Sequence, residues 1–102
     1  MDEPFDQATA RGFILAILEG PGMTVFTRRA KLEFLENEMT SADAVNVLRG
    51  GHIAKGTHGV SGWRYRAQTR RMNVEFSFRF PENTGTAEPD ELVIETAWRN
   101  NP

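Results

Sequence analysis

Between residues 63 and 80 the chain reads WRYRAQTRRMNVEFSFRF, and the apolar residues fall on every second position: Trp63, Tyr65 and Ala67, then Met72, Val74, Phe76, Phe78 and Phe80. The positions between them are polar and mostly basic: Arg64, Arg66 and Gln68, then Arg71, Asn73, Glu75, Ser77 and Arg79. A period of two sorts side chains onto opposite faces of a strand, whereas a helix would spread the same pattern around its axis. The stretch therefore predicts two strands, 62–68 and 71–80, joined by a tight turn at about Gln68–Arg70. One face must be buried and the other open or lightly covered. Burial of Met72, Val74, Phe76, Phe78 and Phe80 stabilises by roughly 1.5–3 kcal/mol each before entropy is counted. The rest of the chain has to supply a cover for that face.

The N-terminal half has the right period for the task. Ala10, Phe13, Ile14, Ala16, Ile17 and Leu18 recur at helical spacing behind Asp6, an N-cap type, and Gly20-Pro21-Gly22 stops the pattern, so a helix is predicted over about 7–19. MTVF (23–26) reads as either a brief edge strand or an extended connector. Thr27 can cap a weaker helix through Ala30, Leu32, Phe34 and Leu35 that ends near Glu38. MTSADAVNVLRGG (39–51) predicts a third helix, capped by Thr40 or Ser41 and closed by Gly50-Gly51. HIAKG (52–56) is a short-strand candidate and THGVSG (57–62) is turn-like. PENTGTAEPDE (81–91) reads as a polar loop and LVIETAW (92–98) as the last strand, with Leu92, Ile94 and Trp98 inward and Glu95 and Arg99 on the open face. Helices followed by a meander predict one α+β domain over 1–102: two or three N-terminal helices on one face of a three- to four-stranded antiparallel sheet.

Composition narrows the chemistry. There is no cysteine, which excludes disulfides, thiolate metal sites and a cysteine nucleophile and fits a cytoplasmic location. No run of 18 apolar residues exists to span a membrane. FILAIL (13–18) follows an acidic start and does not read as a signal peptide. His52 and His58 lack a third ligand at metal spacing, so no zinc site is expected, and no cofactor motif is present. The net charge of −2 hides an uneven distribution: residues 1–50 carry −3, residues 51–80 carry +5 and residues 81–102 carry −4. The positive charge is gathered in the alternating segment.

Guanidinium groups on a rigid sheet make a surface suited to phosphate, because arginine binds it bidentately and stays charged. An exposed strand face also needs polar residues for solvation alone, and Trp63, Tyr65 and Trp98 suit a core as well as a stacking platform. A loop histidine such as His58 can act as a proton carrier or simply face solvent.

The order of pieces carries a resemblance. A first helix, VFTRRA (25–30), a second helix, SADAVNVLRGG (41–51), the basic strand WRYRA (63–67), a long alternating strand and LVIETAWR (92–99) look like the small toxin-like domains related to MqsR within the RelE superfamily, over about residues 8–99. The resemblance implies a RelE-like fold and an endoribonuclease toxin, neutralised by a cognate antitoxin, that cleaves free or ribosome-bound mRNA by attack of a ribose 2′-OH on the adjacent phosphate. On that basis Lys55, His58, Arg64 and Arg71 form the expected catalytic set, Tyr65 is a further proton carrier, and Arg66, Arg79 and Arg99 bind RNA. The chain departs from the family in Arg29, where relatives often have histidine, in the long loop at 81–91 and in an acidic pI of about 5.7. The alternative is a non-enzymatic module on the same scaffold that binds another protein, as an acidic inhibitor or regulatory partner, since acidic surfaces dock on basic nucleic-acid-binding proteins.

Overall fold

The computed structural model describes residues 3–60, 62–81 and 88–100. Among the described residues three helices are present, each started by a side-chain cap that sequence predicts. Asp6 accepts from the Thr9 N–H at 2.7 Å and opens α1 (Gln7–Glu19), whose buried stripe is Ala10, Phe13, Ile14 and Ile17. Thr27 accepts from the Ala30 N–H and opens α2 (Arg28–Glu36). Thr40 and Asp43 form a reciprocal capping box at the start of α3 (Ser41–Gly50), which buries Ala44, Val47 and Leu48. The cap satisfies two backbone donors that have no intrahelical partner, which is why the break between α2 and α3 falls where it does.

The strands are β1 (Met23–Phe26), β2 (His52–Gly59), β3 (Gly62–Gln68), β4 (Met72–Arg79) and β5 (Glu91–Arg99), in the spatial order β1-β5-β4-β3-β2. The α+β class stands, but among the described residues the sheet has five strands and is mixed, not an antiparallel sheet of three or four. MTVF is an edge strand, and it runs parallel to β5 with Met23 beside Glu91 and Phe26 beside Ile94. A pairing across that sequence separation leaves no local signature. The segment read as a turn at 57–59 instead continues β2, because Thr57 pairs with Arg64 and His58 with Trp63 beyond a bulge at Lys55–Gly56. Gly56 is required there: a Cβ would lie 2.8 Å from the Tyr65 ring. The turn into β3 uses Gly62 at φ +111°, a conformation that glycine adopts without steric cost. The loop predicted at 81–91 lies mostly outside the described residues.

Six cross-strand pairs on the inner face are buried on both sides: Ile53 with Ala67, Ala67 with Val74, Tyr65 with Phe76, Phe76 with Ile94, Phe78 with Leu92 and Val74 with Ala97. α1 and α3 pack on this face. Phe5, Phe13, Tyr65, Phe76 and Phe78 form an aromatic cluster, mostly edge-to-face, with ring centroids 4.9–6.3 Å apart. The register slips between Glu75 and Phe76, so that Glu95 is an extra residue on β5. Such a bulge reverses the in–out alternation beyond it. Trp98 therefore pairs with Asn73 on the open face, contrary to the inward position its spacing from Leu92 and Ile94 predicts.

α2 packs along β5 where β1 has ended. The Thr27 N–H donates to Ile94 O at 3.0 Å, Thr96 Oγ1 donates to Glu33 at 2.6 Å, and the Arg99 guanidinium donates to Asn37 O and Glu38 O at 2.7 and 3.0 Å. The helix thus covers part of an edge that would otherwise offer free ladder groups. Among the described residues no helix is long and apolar enough to cross a membrane.

Candidate functional site on the open face of the sheet

The face turned away from α1 and α3 is built by β2 to β5. Arg66 lies directly across from Glu75, which lies across from Thr96, while Ala54 flanks Arg66 on β2. The Arg66 guanidinium meets Glu75 at 3.1 Å and lies over the Trp98 ring at 5.1 Å from its centre. Arg64, one step along the same face, stands between Glu75 at 3.9 Å and Glu95 at 3.7 Å. Ser77 donates to the other side of the assembly, reaching Glu95 at 3.1 Å. Both arginines are a little under half exposed and both carboxylates about a fifth exposed. The result is a row of alternating charges in which two guanidinium groups are matched by two carboxylates.

A groove of about 390 Å³ opens beside this row, lined among others by Lys55, Thr57, Arg64, Arg66, Gln68 and Glu75. A second hollow of about 220 Å³ continues past Arg64 towards Val60, Ser77 and Glu95. The bulge at Lys55–Gly56 brings Lys55 to the groove; without it, strict alternation from Ala54 would turn Lys55 to the other face.

The residues singled out by sequence divide. Lys55, Arg64 and Arg66 share the groove. His58 does not: its register partner is Trp63, whose ring it meets edge-on at 5.0 Å, on the opposite side of the sheet from Arg64. Arg71 sits in the β3–β4 turn, held by Thr69 Oγ1 accepting from the Arg71 N–H. Arg79 is at the far end of β4, paired with Glu91 at 3.3 Å. The two ends of that strand are separated by roughly 24 Å at strand rise. Arg99 closes the C-terminal end of α2.

Tyr65 belongs to the core. Its hydroxyl accepts from the Phe5 N–H at 3.1 Å and donates to Glu3 at 2.7 Å. Burial pushes the phenol well above its ordinary range, with the Glu3 carboxylate adding to the rise, and burial also raises Glu3. A phenol so held retains its proton at any physiological pH.

Three members of the open face escape a reading by alternation alone. Trp98 and Thr96 change sides because of the bulge, and Lys55 joins because of the other one. The Arg66–Glu75 pair is different, since a tight turn between β3 and β4 sets those two residues opposite each other. Among the described residues no three His, Asp or Glu side chains are grouped closely enough to hold a metal ion. No protein-family model, no curated protein and no solved structure matches this chain.

Proposed function

We propose that this protein is a non-enzymatic binding module that docks on a partner protein through the open face of its sheet. The observation that carries this reading is the pairing of Arg64 and Arg66 with Glu75 and Glu95. A phosphate approaching these guanidinium groups meets carboxylates already in place, and displacing them leaves partly buried oxygen atoms less well satisfied. A partner protein with its own alternating charges faces no such conflict, since complementary side chains extend the row. Arginine stacked on tryptophan is also the kind of rigid, amphipathic anchor that dominates protein interfaces. The acidic charge of the two ends of the chain favours a basic partner, such as a nucleic-acid-binding protein.

The convergence of Lys55, Arg64 and Arg66 on one groove favours a second reading, an endoribonuclease toxin neutralised by an antitoxin. In it those cations stabilise the charge that develops when a ribose 2′-OH attacks the adjacent phosphate. Both readings act in the cytoplasm. One experiment separates them. Inducible expression of the native chain, with RNA integrity followed, is expected to leave growth and RNA intact. A crosslinker placed at Gln68 is expected to capture a discrete protein from cells that Arg66→Glu no longer captures. Growth arrest with RNA cleavage, relieved by Lys55→Ala with Arg64→Ala, overturns the binding module in favour of the toxin.

A further inference from the structure

The two edges of the sheet are finished differently. On β2 the Ile53 N–H is taken by Gln7 Oε1 at 2.9 Å, and the bulge at Lys55–Gly56 interrupts the edge beyond it. β1 has neither device. It is the outermost strand on its side, and among the described residues no strand lies beyond it. Its four residues, MTVF, include no charge and no proline.

The ladder to β5 fixes which backbone groups of β1 are left over. Met23 N–H donates to Asp90 O at 3.1 Å and Thr27 N–H to Ile94 O at 3.0 Å, so the odd-numbered residues face β5. Successive residues of a strand turn their backbone groups to opposite sides. The N–H and C=O of Thr24 and Phe26 therefore point away from the sheet. An extended backbone laid alongside matches this alternation of donors and acceptors.

A groove of about 470 Å³ lies beside those groups, between Thr24 and Phe26 on β1 and Ala42, Val45, Asn46 and Arg49 on α3. Helical spacing puts the four α3 residues on one stripe. Phe26 and Val45 are half-buried and give the groove an apolar part. Arg49 is exposed and, among the described residues, forms no ion pair, whereas Arg64, Arg66 and Arg79 each have a carboxylate. The groove thus holds a cation that a carboxylate from outside the chain can meet.

We infer that β1 is a docking edge for an extended acidic segment of a partner protein, which adds to the sheet through Thr24 and Phe26. Alternate side chains of such a segment project to one face. On that face an apolar residue enters between Phe26 and Val45, and an acidic residue meets Arg49. The contact is short, so the affinity is low, with a dissociation constant on the order of 0.1 mM. The site is separate from the open face of the sheet, and neither depends on the other.

Selection of a random-peptide phage library on the immobilised full chain tests this, because multivalent display retains weak binders. Enriched peptides are expected to carry an acidic and an apolar residue on the same face of a strand. Selection on Arg49→Glu is expected to replace the acid with Lys or Arg. An enriched peptide is then synthesised and titrated. Thr24→Pro removes an outward N–H without touching the ladder to β5, and is expected to weaken binding at least ~10-fold with the thermal midpoint unchanged. Methylating one alternate set of peptide amides is expected to abolish binding, and methylating the other set to leave it. The methylated peptides keep the protein intact, so they decide the matter if Thr24→Pro lowers the midpoint. A library without enriched peptides overturns the proposal, as do peptides indifferent to Arg49→Glu or to which amides are methylated. Peptides that Arg66→Glu abolishes instead overturn this site and leave the open face standing as the docking surface.

Discussion

The inner and outer faces of β3 and β4 are made from neighbouring residues of the same strands, yet they are held together by different physics. On the inner face Tyr65, Phe76 and Phe78 are packed ring on ring and almost wholly removed from water. On the outer face Arg64, Arg66 and Glu75 meet at 3.1–3.9 Å with solvent on one side. Apolar burial scales with the area withdrawn from water and is not screened by salt. Partly exposed ion pairs gain little net energy and are weakened by it. One face therefore holds the fold, and the other can vary its charge with little consequence for the fold. That division leaves the open face available for recognition.

The contrast can be broken first at Phe76, whose ring is fully buried. Phe76→Ala is expected to cost about 3–5 kcal/mol, read as a fall in the urea midpoint, and a loss below about 1 kcal/mol would show that the inner face is not the centre of stability. Tyr65→Phe keeps the ring and removes the hydroxyl that the Phe5 N–H and Glu3 share. The expected cost is about 1–2 kcal/mol, since a buried donor loses its acceptor.

Glu3 adds a pH dependence to the same corner. Burial raises its folded pKa above 4.5, so the folded state holds the proton more tightly than the unfolded chain. Its contribution to stability is complete below pH 4.5 and is lost as pH rises through the folded value. Glu3→Gln is expected to flatten the decline in stability over that window in unfolding measured as a function of pH. Asp6 acts in the other direction. Its carboxylate accepts from the Thr9 N–H, which holds its pKa below 3.8, so the stability it adds is present above that value and fades as the solution is acidified. Asp6→Asn is expected to remove that acid-side loss.

The smallest expected change in stability comes from the outer face. Glu75→Gln removes the carboxylate shared by Arg64 and Arg66 and should cost under about 1 kcal/mol in denaturant. Its effect on charge is large by comparison. Arg66 loses its carboxylate and Arg64 keeps only Glu95, so retention of the variant on an immobilised polyanion is expected to rise and to depend steeply on salt. If native and variant are retained alike, the pairing does not govern what the face can bind.

How far these two faces could be read in advance depended on the range of the interactions that set them. Arg64 and Arg66 were legible as neighbours because alternation along one strand is local. Their pairing with Glu75 was within reach of the same logic, since a tight turn sets the register of a hairpin. Glu95 was legible on the open face, but Trp98 and Arg99 were not, because a single extra residue in β5 reverses every later side chain and nothing in LVIETAW marks its place. β1 was ambiguous for a related reason: four residues fit a strand or a connector equally, and only Leu92, Val93 and Ile94 coming alongside decide the matter.

What the sequence by itself determined is the local order: three capped helices, a hairpin with one aromatic and one basic side, and a concentration of positive charge after Gly51. Those features follow from side-chain periodicity, capping groups and backbone restrictions that act within a few residues. The tertiary structure decided which charges meet. It sent His58 to the far side of the sheet and drew Arg99 onto α2. It also brought Glu95 from the end of the chain against Arg64. Ion pairing depends on distances across strands, and a bulge of one residue moves those distances without altering any local preference.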